Sequence, residues 1–238
     1  MHRIKFAPRQ GALPRTTERM FAPRRIHDDP PVFALDIPEA LLAPDASFDW
    51  LDEDNLATLR ALGSAQRRAQ FACGRWLLAH AAREIAPGRH RVRFDGRRPG
   101  IEIAGAAGAA SISHSGRRVL CTAAPVAAAG VDVEEIRPRK DWEGLAGRVL
   151  HPAERVRLEA LPEAGRWEGF YAAWTMKEAL AKALGTGLTL AFSRVLVSEE
   201  GRMEEGSDLL GANPGAWGFA RLGLGPGWAA AVAWRRPG

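Results

Sequence analysis

Apolar positions recur along this chain with two different spacings, and the switches between them mark out its elements. From Leu51 to Leu62 the spacing is helical, and Asp52, Glu53 and Asp54 place negative charge where a helix N-terminus favours it. Gln66 to Glu84 predicts a second helix, with Phe71, Trp76, Leu77 and Leu78 on its apolar side and Pro87-Gly88 as its stop. Arg91 to Asp95 alternates, with Val92 and Phe94 on one face, and predicts a strand; Gly96 to Gly100 then reads as a turn. Further strands are expected at Ile101–Ile103, Ala110–Ser113, Val119–Ala124 and Ala128–Glu134. Trp142 to Leu161 predicts two short helices split at His151-Pro152. Gly165 to Leu184 is the longest expected helix, ended by Gly185. Ser193–Ser198, Ala216–Leu222 and Trp228–Trp234 read as closing strands.

The pattern divides the chain. Residues 1–30 are basic, proline-rich and without apolar periodicity, so they read as a flexible extension. Gly74 to Ala82 echoes Met176 to Leu184 at an offset of 102, each stretch standing in a helix followed by strands. That echo fits two similar α/β halves, residues 31–124 and 125–238, joined near Pro125.

Composition narrows the class. With 46% hydrophobic and 26% charged residues among 238, the chain is neither disordered, collagen-like nor disulfide-stapled. Val119 to Val131 is the longest apolar-rich uncharged run, too short to span a bilayer. The N-terminus lacks the apolar core of a secretory signal, and Cys73 and Cys121 have no metal spacing, so a reduced cytoplasm is expected. The net charge of +5 and pI near 9.8 invite a nucleic-acid reading. The charge is segregated, however: residues 31–59 hold acids and no bases, while residues 60–118 hold twelve arginines against three acids. No helix-turn-helix, zinc-finger or RNA-recognition pattern accompanies it.

Three groups of residues carry candidate chemistry. In Gly130-Val131-Asp132-Val133-Glu134 the acids alternate with valines, so on a strand Asp132 and Glu134 share a face about 7 Å apart. Such a pair suits a hard cation such as Mg²⁺; it equally suits the solvated face of an edge strand. Trp174, Glu178 and Lys182 form one helical stripe, either a metal and phosphate site or an ordinary surface Glu–Lys pair. Ser111 to Arg117 offers hydroxyls, an imidazole and a guanidinium at a strand end, which could hold a phosphorylated ligand. No Walker loop or dinucleotide turn occurs, so phosphates would have to be met by side chains.

In order along the chain, Ser113-His114-Ser115, Gly130 to Glu134 and Trp174 to Lys182 resemble the motifs of the Sfp-type 4′-phosphopantetheinyl transferases. Gly74-Arg75-Trp76-Leu77-Leu78 and Gly96-Arg97-Arg98-Pro99 resemble that family's first-half motifs, and the likeness covers roughly residues 50–235. The resemblance implies an α+β fold of two similar halves related by a pseudo-twofold, with coenzyme A in the cleft between them. It implies transfer of phosphopantetheine from coenzyme A to a serine of an apo acyl or peptidyl carrier protein, releasing adenosine 3′,5′-bisphosphate. It implies a holo-[acyl-carrier-protein] synthase type of activity. Asp132, Glu134 and Glu178 would bind Mg²⁺, and Glu178 would also be the base. Lys182 would stabilise pyrophosphate charge. Ser113 and His114 would meet coenzyme A phosphates, and Arg75 and Arg98 the adenosine 3′-phosphate end. Gly96-Arg97-Arg98-Pro99 departs from the family's Gly-Lys-Pro, which leaves Arg97 and Arg98 both open for that contact. The expected protein is a cytoplasmic monomer that binds neither nucleic acid nor membrane.

Overall fold

The computed structural model describes residues 20–95, 98–198, 201–210 and 213–237. The chain divides into two compact units at Pro125/Val126, next to the proline where the sequence pattern changes.

The first unit is one long helix on an antiparallel sheet. Six strands, β1 (Arg24–Asp28), β2 (Pro31–Asp36), β3 (His90–Asp95), β4 (Arg98–Ile103), β5 (Ala106–Ser115) and β6 (Arg118–Ala124), lie in the order β1-β2-β6-β5-β4-β3. Helix α1 (Glu53–Arg60) is capped by Asp52, and α2 (Ala65–Ile85) by Ser64. Leu77 and Leu78 of α2 are fully buried with Val119 and Cys121 of β6 and Phe33 and Leu35 of β2 in a single core. Gly74 lets α2 settle there, since a Cβ on it would stand 3.0 Å from Ile112.

The expected extension of residues 1–30 is corrected in its last third. Arg24 to Asp28 is a strand paired with β2, and Phe21 is buried against Trp76 with ring centroids 4.2 Å apart. Residues 1–19 lie outside the described residues. The segregated charge is partly answered within this unit. Arg60 pairs with Glu53 at 3.0 Å, Arg118 with Asp36 at 2.8 Å, and Arg117 with Glu39. Three of the twelve arginines in residues 60–118 thus pair with the acidic segment.

The second unit repeats the plan with fewer strands. β7 (Ala128–Glu135), β10 (Trp217–Arg221) and β11 (Trp228–Arg235) form a sheet in the order β10-β11-β7. Helices α3 (Trp142–Val149) and α4 (Pro152–Glu159) split at His151-Pro152, and His151 with Glu154 makes a capping box. Helix α5 (Glu163–Leu184) packs on β7 and β11 and ends at Gly185, whose φ of 79° is the left-handed cap. The expected strand at Ser193–Ser198 is shorter: a 3-10 turn over Phe192–Arg194 precedes β8 (Leu196–Val197), which pairs with β9 (Met203–Glu205). The internal echo falls on α2 and α5, the long packing helix of each unit. The described residues contain no helix long and apolar enough to cross a membrane.

Candidate functional site

Alternation on β7 sends Gly130, Asp132 and Glu134 toward α5. The approach is close: a Cβ on Gly130 would stand 3.0 Å from Lys182 Cβ and 2.6 Å from the Ala183 nitrogen. Asp132 is 4% exposed, so this is not the solvated face of an edge strand. Its Oδ1 accepts from Lys182 Nζ at 2.6 Å, and the same ammonium donates to the Val131 carbonyl at 3.2 Å. Lys182 is therefore paired across to β7, not a surface partner of Glu178. Glu178 is half-buried one turn earlier on α5. Burial raises its pKa above the ordinary carboxylate value, the negative charges of Asp132 and Glu134 raise it further, and Lys182 opposes them.

Asp132, Glu134 and Glu178 face one another closely enough that the two strand acids act on the Glu178 carboxyl, without forming a ready-made metal cluster. Among the described residues no three His, Cys, Asp or Glu side chains are gathered closely enough to hold a metal together. Lys182, whose ammonium pairs with Asp132 at 2.6 Å, stands among the three acids. The donor set itself suits a hard divalent cation: hard oxygen donors, packed so that each raises the cost of ionising Glu178.

The residue beside Glu178 faces the other way. Lys177 is 1% exposed, and its Nζ donates to the Val149 carbonyl at 2.8 Å and to Glu154 Oε2 at 2.5 Å. Glu154 Oε2 also accepts from the His151 backbone N–H at 2.8 Å. One buried ion pair thus ties α5 to the turn between α3 and α4, and so fixes how α5 is rotated.

The first unit has a cavity of its own, about 330 Å³, between α2 and β5. Arg67, Gln70, Phe71 and Arg75 line it from the helix, with Phe94 and His114 among the strand residues opposite. The Arg75 guanidinium lies 3.3 Å above the Phe71 ring and 4.6 Å from the Phe94 ring. Its Nε donates to Asn55 Oδ1, and Asn55 is held in turn by Asp52 at 2.9 Å. Burial pulls the Arg75 pKa down to about 10, with Asp52 opposing, so the group stays cationic at neutral pH. The result is a planar cation with its orientation fixed before any ligand arrives.

The family model of the 4′-phosphopantetheinyl transferase superfamily matches residues 128–233, within the unit that carries the acids. The 4′-phosphopantetheinyl transferase HetI of Nostoc sp. is 34% identical over 162 residues, covering 65% of this chain and 67% of HetI. The chain belongs to the 4′-phosphopantetheinyl transferase superfamily. AcpT of Salmonella typhimurium, also a 4′-phosphopantetheinyl transferase, is 34% identical over 119 residues, half of this chain and 60% of AcpT. The 4′-phosphopantetheinyl transferase of Bacillus subtilis is 36% identical over 82 residues, 34% of each chain. The chain therefore spans about two thirds of HetI and three fifths of AcpT.

In this phosphopantetheinyl transferase superfamily member the residues singled out by motif form two separate groups. Asp132, Glu134, Glu178 and Lys182 meet in the second unit; Arg75 and His114 meet in the cavity of the first. Ser113 does not join His114 there: it is buried and alternates to the opposite face of β5. Arg97 and the side chain of Arg98 lie outside the described residues. Sequence reading missed Arg67, Gln70 and Phe71 as cavity residues. Their signal was present as a mixed polar stripe with Gly74 at helical spacing on α2. It also missed Lys177, whose burial as a lone lysine no spacing rule reveals.

Proposed function

We propose that this chain transfers 4′-phosphopantetheine from coenzyme A to a serine of an apo acyl or peptidyl carrier protein. Family membership supports the reaction, and the observation that carries it in this chain is Glu178 facing Asp132, Glu134 and Lys182. The serine hydroxyl forms a new O–P bond at the phosphorus of the phosphopantetheine arm. The anhydride P–O bond breaks, and adenosine 3′,5′-bisphosphate leaves. The serine proton passes to Glu178, whose raised basicity suits a proton acceptor. Lys182 places positive charge beside the site, where breaking the anhydride builds negative charge. Arg75, Arg67 and His114 supply cationic and hydrogen-bonding groups for a phosphorylated ligand in the first unit.

Asp132, Glu134 and Glu178 would hold Mg²⁺, which when bound supplies further positive charge to the pyrophosphate oxygens. The finer assignments are a holo-[acyl-carrier-protein] synthase type of activity in a cytoplasmic monomer, with no nucleic-acid or membrane partner. The test is a transfer assay with coenzyme A and Mg²⁺ against a panel of apo carrier proteins, read by mass spectrometry. A gain of one phosphopantetheinyl group supports the reading; an unmodified panel overturns it.

A further inference from the structure

The hairpin that joins β5 to β6 is held at its tip from two sides. The two strands pair as far as Ser115 and Arg118, which leaves Gly116-Arg117 as a two-residue turn. Gly116 has a φ of 50°, a left-handed conformation that glycine adopts without strain. On one side Ile37, just after β2, donates its N–H to the Arg117 carbonyl at 2.7 Å. Arg117 Nη2 donates back to the Ile37 carbonyl at 3.2 Å. On the other side stand Gln66 and Gln70, one turn apart on α2. Both donate from Nε2 to the Gly116 carbonyl, at 3.1 and 2.9 Å. A carbonyl oxygen has two lone pairs, so it accepts both bonds at once.

The glutamine clamp is not needed to close the turn. The β5–β6 ladder runs from the Ala109–Ala124 pair to the Ser115–Arg118 pair, and the bonds to Ile37 already hold Arg117. What the glutamines add is a fixed separation between α2 and the end of β5. That separation is one dimension of the 330 Å³ cavity, with Arg67 and Arg75 on the helix wall and His114 on the strand wall. His114 stands two residues before Gly116, is exposed and takes no part in the hydrophobic core. The backbone beneath it therefore does much to set where its ring lies.

The two glutamines contribute unequally. Gln66 is exposed and can exchange the carbonyl for water at little cost. Gln70 is 7% exposed, so its amide is penalised if the turn moves away. On the helix wall the Arg75 guanidinium is fixed by Phe71 and Asn55. An anion that meets both walls gains most when the second wall is fixed as well, because no ordering is left to be done on binding.

Resting on the transferase reading, we propose that Gln70, seconded by Gln66, is a positioning residue for the coenzyme A phosphates. It holds the Gly116 turn on α2 and so keeps the His114 imidazole in register with Arg75.

Calorimetric titration of coenzyme A into the full chain provides the test, in the unaltered and His114→Ala backgrounds. Gln70→Leu should raise the coenzyme A Kd ~5-fold in the first background and less than ~2-fold in the second. Gln66 is exposed and does not line the cavity, so Gln66→Ala examines the same link without altering the cavity wall. It should raise the Kd ~2-fold, and leave it unmoved in His114→Ala. If Gln70→Leu does not fold, Gln66→Ala decides alone. Equal fold losses in both backgrounds overturn the proposal, because the glutamines then do not act through His114. So does a Gln70→Leu chain of lowered stability and unchanged Kd, which makes the clamp purely structural. A His114→Ala chain with the Kd of the unaltered one overturns it too. Each of these results leaves the transferase reading standing. If the unaltered chain neither binds coenzyme A nor modifies any carrier, that reading falls, and the proposal with it.

Discussion

Gly130 of β7 stands so close to Ala179 of α5 that a Cβ on the glycine would fall 2.0 Å from the Ala179 carbonyl oxygen. That atom belongs to a helix backbone and cannot swing aside as a flexible side-chain tip would. The glycine therefore sets the distance between the strand bearing Asp132 and Glu134 and the helix bearing Glu178 and Lys182. Gly130→Ala should push the two elements apart, at a cost of about 1–3 kcal/mol or more. It should also lower transfer activity more than the stability loss explains, because the Lys182–Asp132 contact of 2.6 Å lengthens. Denaturation midpoints together with transfer rates, taken well below the unfolding transition, check this. A stable and fully active variant would show that the close approach is dispensable.

Periodicity revealed most of the helices and strands, because amphipathic spacing reports burial directly. It failed where burial does not alternate. Arg24 to Asp28 is charged and partly exposed at a sheet edge, so nothing in its pattern marks a strand; pairing with β2 holds it. β5 begins at Ala106, in a run of alanine and glycine with little strand preference, and follows its neighbours β4 and β6. The acids of the second unit were legible because strand alternation and a helical stripe each put them on one face. Their relation to Lys182 was not, since both Glu178 and Asp132 are within its reach and only packing chooses Asp132. The first-unit cavity was invisible for the same reason: it exists only once α2 lies against β5.

Glu178 should dominate both the rate and a part of the pH dependence of stability. Burial and the negative charges of Asp132 and Glu134 raise its pKa in the folded protein above the unfolded value. Between those two pKa values the folded state binds more protons than the unfolded state, so stability falls as pH rises through that window. Glu178→Gln should abolish that slope without lowering stability at neutral pH, and should reduce kcat by at least ~100-fold. Denaturant titrations at several pH values and single-turnover transfer measure the two effects. A fully active Glu178→Gln enzyme would remove Glu178 from the roles of base and metal ligand.

Lys177 and Glu154 form a pair that neither partner can leave cheaply. Lys177→Met strands the Glu154 carboxylate, which is 8% exposed, at an expected cost of about 3–5 kcal/mol. Removing both charges in Lys177→Met/Glu154→Leu should recover part of that loss, because no unpaired buried ion then remains. The His151 N–H would still lack its acceptor, so recovery stays incomplete. Chemical denaturation of the two variants distinguishes these outcomes; equal stability of single and double variants would mean the charges are not coupled.

Arg75 tests whether the first-unit cavity recognises the phosphorylated substrate through a planar cation. Its guanidinium is stacked on Phe71 and bonded through Nε to Asn55, an arrangement that a lysine ammonium cannot reproduce. Loss of one charge-assisted contact of about 1.5–3 kcal/mol corresponds to a coenzyme A Kd raised ~10-fold or more in Arg75→Ala. Arg75→Lys keeps the charge but loses the stacking plane and the Nε bond, so it should recover little of that affinity. Calorimetric titration of coenzyme A and its 3′-dephospho form into both variants provides the measurement. If Arg75 meets the 3′-phosphate, the unaltered chain discriminates between the two ligands and Arg75→Ala does not. Equal discrimination in both would place the 3′-phosphate on other residues.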